Sequence, residues 1–85
     1  MRYEVKYDPK AEEQLDKLPR DISKRIVKKM KWVGETGQGI ESIKDKKYGN
    51  KVRIGDYRVL IDLEHNPNII FVRVVGHRKN IYKNI

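Results

Sequence analysis

The chain contains no cysteine, so it has neither a disulfide framework nor thiolates for a metal site. It also has no long apolar run: no stretch approaches the roughly 20 residues needed to cross a bilayer, and no membrane partner is expected. Met1-Arg2-Tyr3-Glu4-Val5 is a charged, alternating stretch, unlike the apolar core of a secretory leader. A cytoplasmic protein is the default. Acid is scarce beside base: 12 Asp and Glu stand against 20 Lys and Arg, a formal net charge of +8. An excess of that size points to an anionic partner, whether nucleic acid, an acidic protein or an anionic surface. Aromatic residues are few, with one Trp and one Phe beside five Tyr, so the interleaved ring pairs of RNA-recognition sheets are missing. A length of 85 residues suits one domain, residues 1–85, with one modest core.

The strongest local signal is a hairpin. Lys51-Val52-Arg53-Ile54 and Tyr57-Arg58-Val59-Leu60 flank Gly55-Asp56, and glycine at the first central position suits a two-residue type II′ turn. That turn sets Ile54 opposite Tyr57, Arg53 opposite Arg58, Val52 opposite Val59 and Lys51 opposite Leu60. Alternation then puts Val52, Ile54, Tyr57, Val59, Ile61 and Leu63 on one face, with Lys51, Arg53 and Arg58 on the other. Directly opposed like charges cost up to about 1 kcal/mol. Folding does not ask for Arg53 to face Arg58, which makes an anionic ligand the natural explanation.

Arg2 to Tyr7 reads as a first strand. Asp8 as an N-cap and Pro9 at the first helical position open a helix to about Lys17, with Ala11, Leu15 and Leu18 at helical spacing. Glu12 and Glu13 suit the positive end of that helix and read as a solvated acidic face. Pro19 separates it from a second helix, whose apolar stripe is Ile22, Ile26, Met30 and Val33. Arg20, Lys24, Arg25, Lys28, Lys29 and Lys31 cover the rest of that helix. Trp32 reads as core or partly buried, and Gly34, Gly37 and Gly39 end the helix. Ile40 to Lys47 is a polar loop. After the hairpin, a turn at His65-Asn66-Pro67-Asn68 leads to an apolar final strand, Ile69 to Gly76, expected to lie centrally in the sheet. The order βααβββ predicts an α+β fold: an antiparallel sheet with a two-helix hairpin packed on one face.

Since the last two strands run antiparallel through the Asn66-Pro67 turn, the end of the last strand returns beside Tyr57 and Arg58. Arg78 and Tyr82 thus join Lys51, Arg53 and Arg58 at one end of the sheet. Alternation directs His77 away from Arg78 and gives Arg73 the same side as His77. Arg73 reads as structural or partner-facing, and His65 as a bystander in the turn.

Lys51-x-Arg53-Ile54-Gly55-Asp56-Tyr57-Arg58-Val59, followed by Val75-Gly76-His77-Arg78-x-x-Ile81-Tyr82, resembles the RelE/ParE toxin superfamily. The element order and the lysine-rich second helix extend the resemblance over essentially the whole chain. For the RelE branch it implies a toxin that cuts messenger RNA in the ribosomal A site without metal or cofactor, and a tightly bound RelB-like antitoxin as partner. It implies that Arg58 stabilises the scissile phosphate, that Arg78 stabilises the phosphate and leaving group, and that Tyr82 stacks on or orients the nucleotide. Lys51 and Arg53 match a pair that is lysine-lysine in the best-known member. Arginine does not act as a base, so Lys51 alone of that pair has the chemistry for it. Lys24, Arg25, Lys28, Lys29, Lys31 and His77 are candidate RNA- or ribosome-binding residues. The alternative within the superfamily is a ParE-like gyrase inhibitor without nuclease activity, which has no need of a phosphate-cleaving cluster. A plain nucleic-acid-binding module is a third reading.

Overall fold

The computed structural model describes residues 2–44 and 47–84, with Asn84 described by its backbone alone; Asp45 and Lys46 of the expected loop, and Met1 and Ile85, lie outside the described residues. The elements are β1 (Glu4–Tyr7), α1 (Pro9–Lys17), α2 (Arg20–Thr36), β2 (Glu41–Ser42), β3 (Asn50–Ile54), β4 (Tyr57–Glu64), β5 (Ile69–His77) and a closing 3₁₀ turn (Ile81–Asn84). They build a five-stranded sheet in the order β1-β5-β4-β3-β2. The expected α+β arrangement is the one adopted, with two additions. β1 runs parallel to β5, so the sheet is mixed. The region read as a polar loop contributes a two-residue edge strand, β2, in which Glu41 lies opposite Lys51.

The helix pair follows from the apolar spacing. Ala11 and Leu15 of α1 join Ile26, Met30 and Val33 of α2 over Val52, Ile54, Val59, Ile61, Ile70, Val72 and Val75 of the sheet. Each such side chain taken fully out of water is worth about 1.5–3 kcal/mol before entropy is subtracted. Leu18, restricted by Pro19, is extended and ends α1. The Ser23 hydroxyl donates to the Leu15 carbonyl, tying the two helices at their junction.

The second helix does not stop at Gly34. It continues to Thr36 and ends on Gly37 in the left-handed conformation, φ 72°. Gly34 is there because α2 meets β1 backbone to backbone. Its carbonyl accepts the N–H groups of Arg2 and Tyr3 at 3.1 and 2.8 Å, and a Cβ would lie 2.8 Å from Val5 Cγ2.

The hairpin register agrees with the sequence reading at each paired position, from Lys51↔Leu60 to Ile54↔Tyr57. Gly55 has φ 57°, as the first central residue of a type II′ turn requires. The β4–β5 pairing departs from simple alternation. Leu60 pairs with Val74 but Ile61 with Val72, leaving Arg73 as an extra, unpaired residue. Such a bulge reverses the side on which later residues emerge. Arg73 therefore does not share the side of His77. It reaches Asp62 (3.0 Å) and both oxygens of Asp8 (2.9 and 3.1 Å), and its guanidinium lies 4.7 Å from the Phe71 ring centroid. These partners raise its pKa, the bond to Asp62 foremost. Asp8 sits at the N-cap position as expected but makes no side-chain cap bond; its carboxylate serves Arg73 instead.

On the face away from the helices, Leu60, Val74 and Ile81 form a second buried cluster, with Ile43, Tyr48 and Tyr82 against it. The 3₁₀ turn covers this patch, Ile81 resting on Gly76.

Candidate functional site

Five of the residues singled out for chemistry lie along the outer face of the sheet, from the hairpin turn to the 3₁₀ turn. Arg58 and Arg53 are direct neighbours across β3 and β4. The cost of that pairing is relieved within the chain. Arg53 Nε donates to Glu41 Oε2 at 2.8 Å, and Arg58 Nη1 donates to the carbonyls of Gly55 and Tyr57, both at 2.9 Å. The turn carbonyls hold one edge of the Arg58 guanidinium. The remaining N–H donors of that planar fork suit a phosphate. Arg53, Arg58, Glu41, Gly55, Gly39 and Lys29 line a cleft of about 350 Å³.

Arg78 arrives from the far end of β5. Gly76 pairs with Arg58 and His77 with Tyr57, and the Arg78 N–H donates to the Asp56 carbonyl at 2.8 Å. Its guanidinium Nε stands 3.5 Å from Asp56 Oδ1, both groups largely exposed. A solvated pair of this kind is worth little, so an incoming phosphate can replace Asp56 at small cost. Lys51 Nζ lies 5.7 Å from the centroid of Tyr82, on the same face as Arg53. Among the described residues, nothing hydrogen-bonds the buried Tyr82 hydroxyl. Burying a hydroxyl unpaired costs about 1–3 kcal/mol.

The other candidates fall in two groups. Lys24, Lys28 and Lys31 line a groove between the helices, beside Tyr7, Leu15 and Val27. Arg25, Lys28 and Lys29 face the hairpin. His77 is on the helix side of the sheet, its ring edge-on to Tyr57 at 5.4 Å, and its Nδ1 accepts the Lys79 N–H at 3.1 Å. It does not meet Lys51 or Arg58. His65 pairs with Asn68 in the turn at 3.1 Å. Among the described residues, no three His, Asp or Glu side chains gather as a metal would require.

Sequence reasoning missed Glu41, Asp56 and Trp32. Glu41 lies in a strand too short to show alternation. In the sequence Asp56 reads as a turn residue, and the turn gives no reason to expect a charge partner. Trp32 is 42% exposed, so of the two expectations it is partly buried and not core. Its spacing carried the signal: at about 100° per residue it sits roughly 200° from Met30 and 100° from Val33 around the helix, off the apolar stripe.

Neither a family model nor a curated protein sequence matches the chain. Solved structures do. A chain of the RelBE toxin–antitoxin complex from Mycobacterium tuberculosis superposes with a TM-score of 0.79 at 21% identity, over 92% of this chain and 100% of that one. The archaeal RelE–RelB complex from Pyrococcus horikoshii gives 0.77 at 18%, over 94% and 99%. The RelB–RelE complex from Methanococcus jannaschii gives 0.69 at 25%, over 93% and 96%. A mutant E. coli toxin RelE in the free state gives 0.77 at 22%, over 95% and 88%. These likenesses span nearly the whole of each chain, through both helices and the sheet, and the resemblance seen in the sequence holds in three dimensions: the chain has the fold of the RelE toxins.

Proposed function

We propose that the chain is the toxin of a toxin–antitoxin pair, neutralised by a small acidic or amphipathic RelB-like antitoxin, and that it acts in the cytoplasm as a ribosome-dependent endoribonuclease on A-site message. The observation that carries the reading is the convergence of Lys51, Arg53, Arg58, Arg78 and Tyr82 from separate segments onto the outer face and hairpin end of the sheet. Arg53 and Arg58 are opposed there, and Arg78 is docked on the turn between their strands.

In this reaction the 2′-oxygen attacks the adjacent phosphorus to form a 2′,3′-cyclic phosphate, the P–O5′ bond breaks, and the 5′-oxygen leaves and takes a proton from water. Arg58, steadied by the Gly55 and Tyr57 carbonyls, stabilises the non-bridging oxygens as their charge grows. Arg78 exchanges Asp56 for the phosphate and shields the leaving oxygen. Lys51 takes the 2′-OH proton as general base. Arg53 supplies fixed positive charge, and Tyr82 orients the nucleotide. The +8 net charge draws the chain to rRNA and message.

The test is cleavage of programmed ribosomes by Arg58→Ala and Arg78→Ala. Losing one preorganised donor lowers the rate about 10²–10³-fold with much smaller loss of ribosome affinity, and the double variant is less than additive. A single 2′-deoxy nucleotide at the cut site leaves the message bound and whole. Normal cleavage by both alanine variants refutes the assignment and moves the gyrase-inhibitor reading ahead.

A further inference from the structure

We propose that Trp32 is a stacking platform for an unpaired nucleotide of single-stranded RNA, at the outer end of a cationic groove that leads to Arg58. This extends the RNA-binding part of the proposed function, but it depends on neither the ribosome nor cleavage. Trp32 is the chain's only tryptophan and keeps 42% of its surface exposed on α2, more than an indole ordinarily leaves to solvent. The ring is nevertheless braced. A Cβ at Gly39 would stand 3.4 Å from Trp32 Cζ3, and Lys29 Nζ lies 4.6 Å from the ring centroid.

The surroundings are cationic. Arg25, Lys28, Lys29 and Arg53 flank Trp32 around a cavity of about 480 Å³. Lys29, Arg53 and Gly55 also line the cleft that holds Arg58, so the two spaces adjoin across these three residues. The Arg25 guanidinium packs on the hairpin turn, with Nη2 3.1 Å from the position of a Cβ on Gly55. Among the described residues lining both spaces, Glu41 is the one acid, and Arg53 already neutralises it. A cationic track carrying an exposed ring fits a single strand, whose phosphates follow the charge while a base covers the ring. An apolar protein segment would find mostly ammonium and guanidinium groups around the indole.

The single tryptophan makes the test direct. Full-length protein is titrated with short single-stranded oligoadenylate and, separately, with inorganic polyphosphate, which has charge but no bases. Oligoadenylate quenches and shifts the indole emission, whereas polyphosphate binds without doing so. In competition against a labelled oligonucleotide, Trp32→Leu weakens oligoadenylate binding about tenfold, the scale of one base–aromatic stack. Trp32→Phe restores most of the loss, and both variants keep the polyphosphate affinity of the parent. Unchanged emission at saturating oligoadenylate overturns the proposal, as does equal quenching by polyphosphate or a Trp32→Leu affinity within twofold of the parent. Quenching by the antitoxin but not by oligoadenylate assigns the ring to a protein interface and also overturns it. The nuclease reading is judged separately, by the Arg58 and Arg78 variants on ribosomes.

Discussion

Arg73→Met should be among the most destabilising single changes outside the apolar core. The guanidinium makes three hydrogen bonds to two carboxylates, Asp62 at 3.0 Å and Asp8 at 2.9 and 3.1 Å. Asp62 is also fixed through its other oxygen, which accepts the Gly49 N–H at 3.3 Å. The network therefore joins the start of α1, β4, β5 and the approach to β3. Charged hydrogen bonds contribute about 1.5–3 kcal/mol each when shielded, and exposed pairs about 0.2–1. The Arg73, Asp8 and Asp62 side chains are 31%, 32% and 36% exposed, so each bond belongs between those limits. Methionine keeps the stem against Phe71 but leaves the two carboxylates without their cation. The expected loss is about 2–4 kcal/mol, or roughly 10–25 °C in Tm for a chain of this size. Urea and thermal unfolding at neutral pH measure it, with Lys17→Met as control, since Lys17–Glu13 is an exposed pair at 3.2 Å worth a few tenths. Asp8→Asn and Asp62→Asn complete a double-mutant cycle in which the coupling to Arg73 exceeds that control. An Arg73→Met loss below 1 kcal/mol, or no coupling in the cycle, refutes the claim that this network anchors the bulge.

Tyr82→Phe removes a buried hydroxyl that has no partner among the described residues, so thermal unfolding should give a protein equal to its parent or about 1 kcal/mol more stable; clear destabilisation would mean the hydroxyl is bonded in solution. Gly34→Ala gains up to about 1 kcal/mol of helix propensity, but its methyl meets Val5 Cγ2 at 2.8 Å and the Tyr3 carbonyl at 3.0 Å. Overpacking at about 1–3 kcal/mol outweighs the gain, and a denaturation midpoint at or above the parent's would refute the close approach of α2 to β1. Gln14→Leu strands the Val75 N–H, which the Gln14 amide oxygen accepts at 2.7 Å, and should cost about 1–3 kcal/mol in the same assay. Charge reversal at the exposed Lys24 and Lys28 should weaken ribosome binding at low salt and flatten its fall with ionic strength, without moving Tm. Binding that ignores salt would remove the electrostatic part of the account.

Local chemistry decided much of this protein in advance. Proline and glycine placed α1, the break before α2 and the β3–β4 turn, because each restricts or permits backbone angles independently of its surroundings. Period-two and period-3.6 patterns assigned the strands and the buried stripe for the same reason: side-chain direction follows from backbone geometry alone. The hairpin register, and with it the opposition of Arg53 and Arg58, came from counting outward from the Gly55-Asp56 turn. Tertiary structure decided what depends on pairing between distant segments. The bulge at Arg73 is a property of two strands together, and it alone puts Arg73 with Asp8 and Asp62 while leaving His77 beside Tyr57. The β1–β5 parallel pair, the two-residue β2 that brings Glu41 to Arg53, and the close approach of α2 to β1 that calls for Gly34 leave no periodic trace. In each, the partner lies far along the chain, and its position is set by the packing of the whole sheet rather than by its neighbours in sequence.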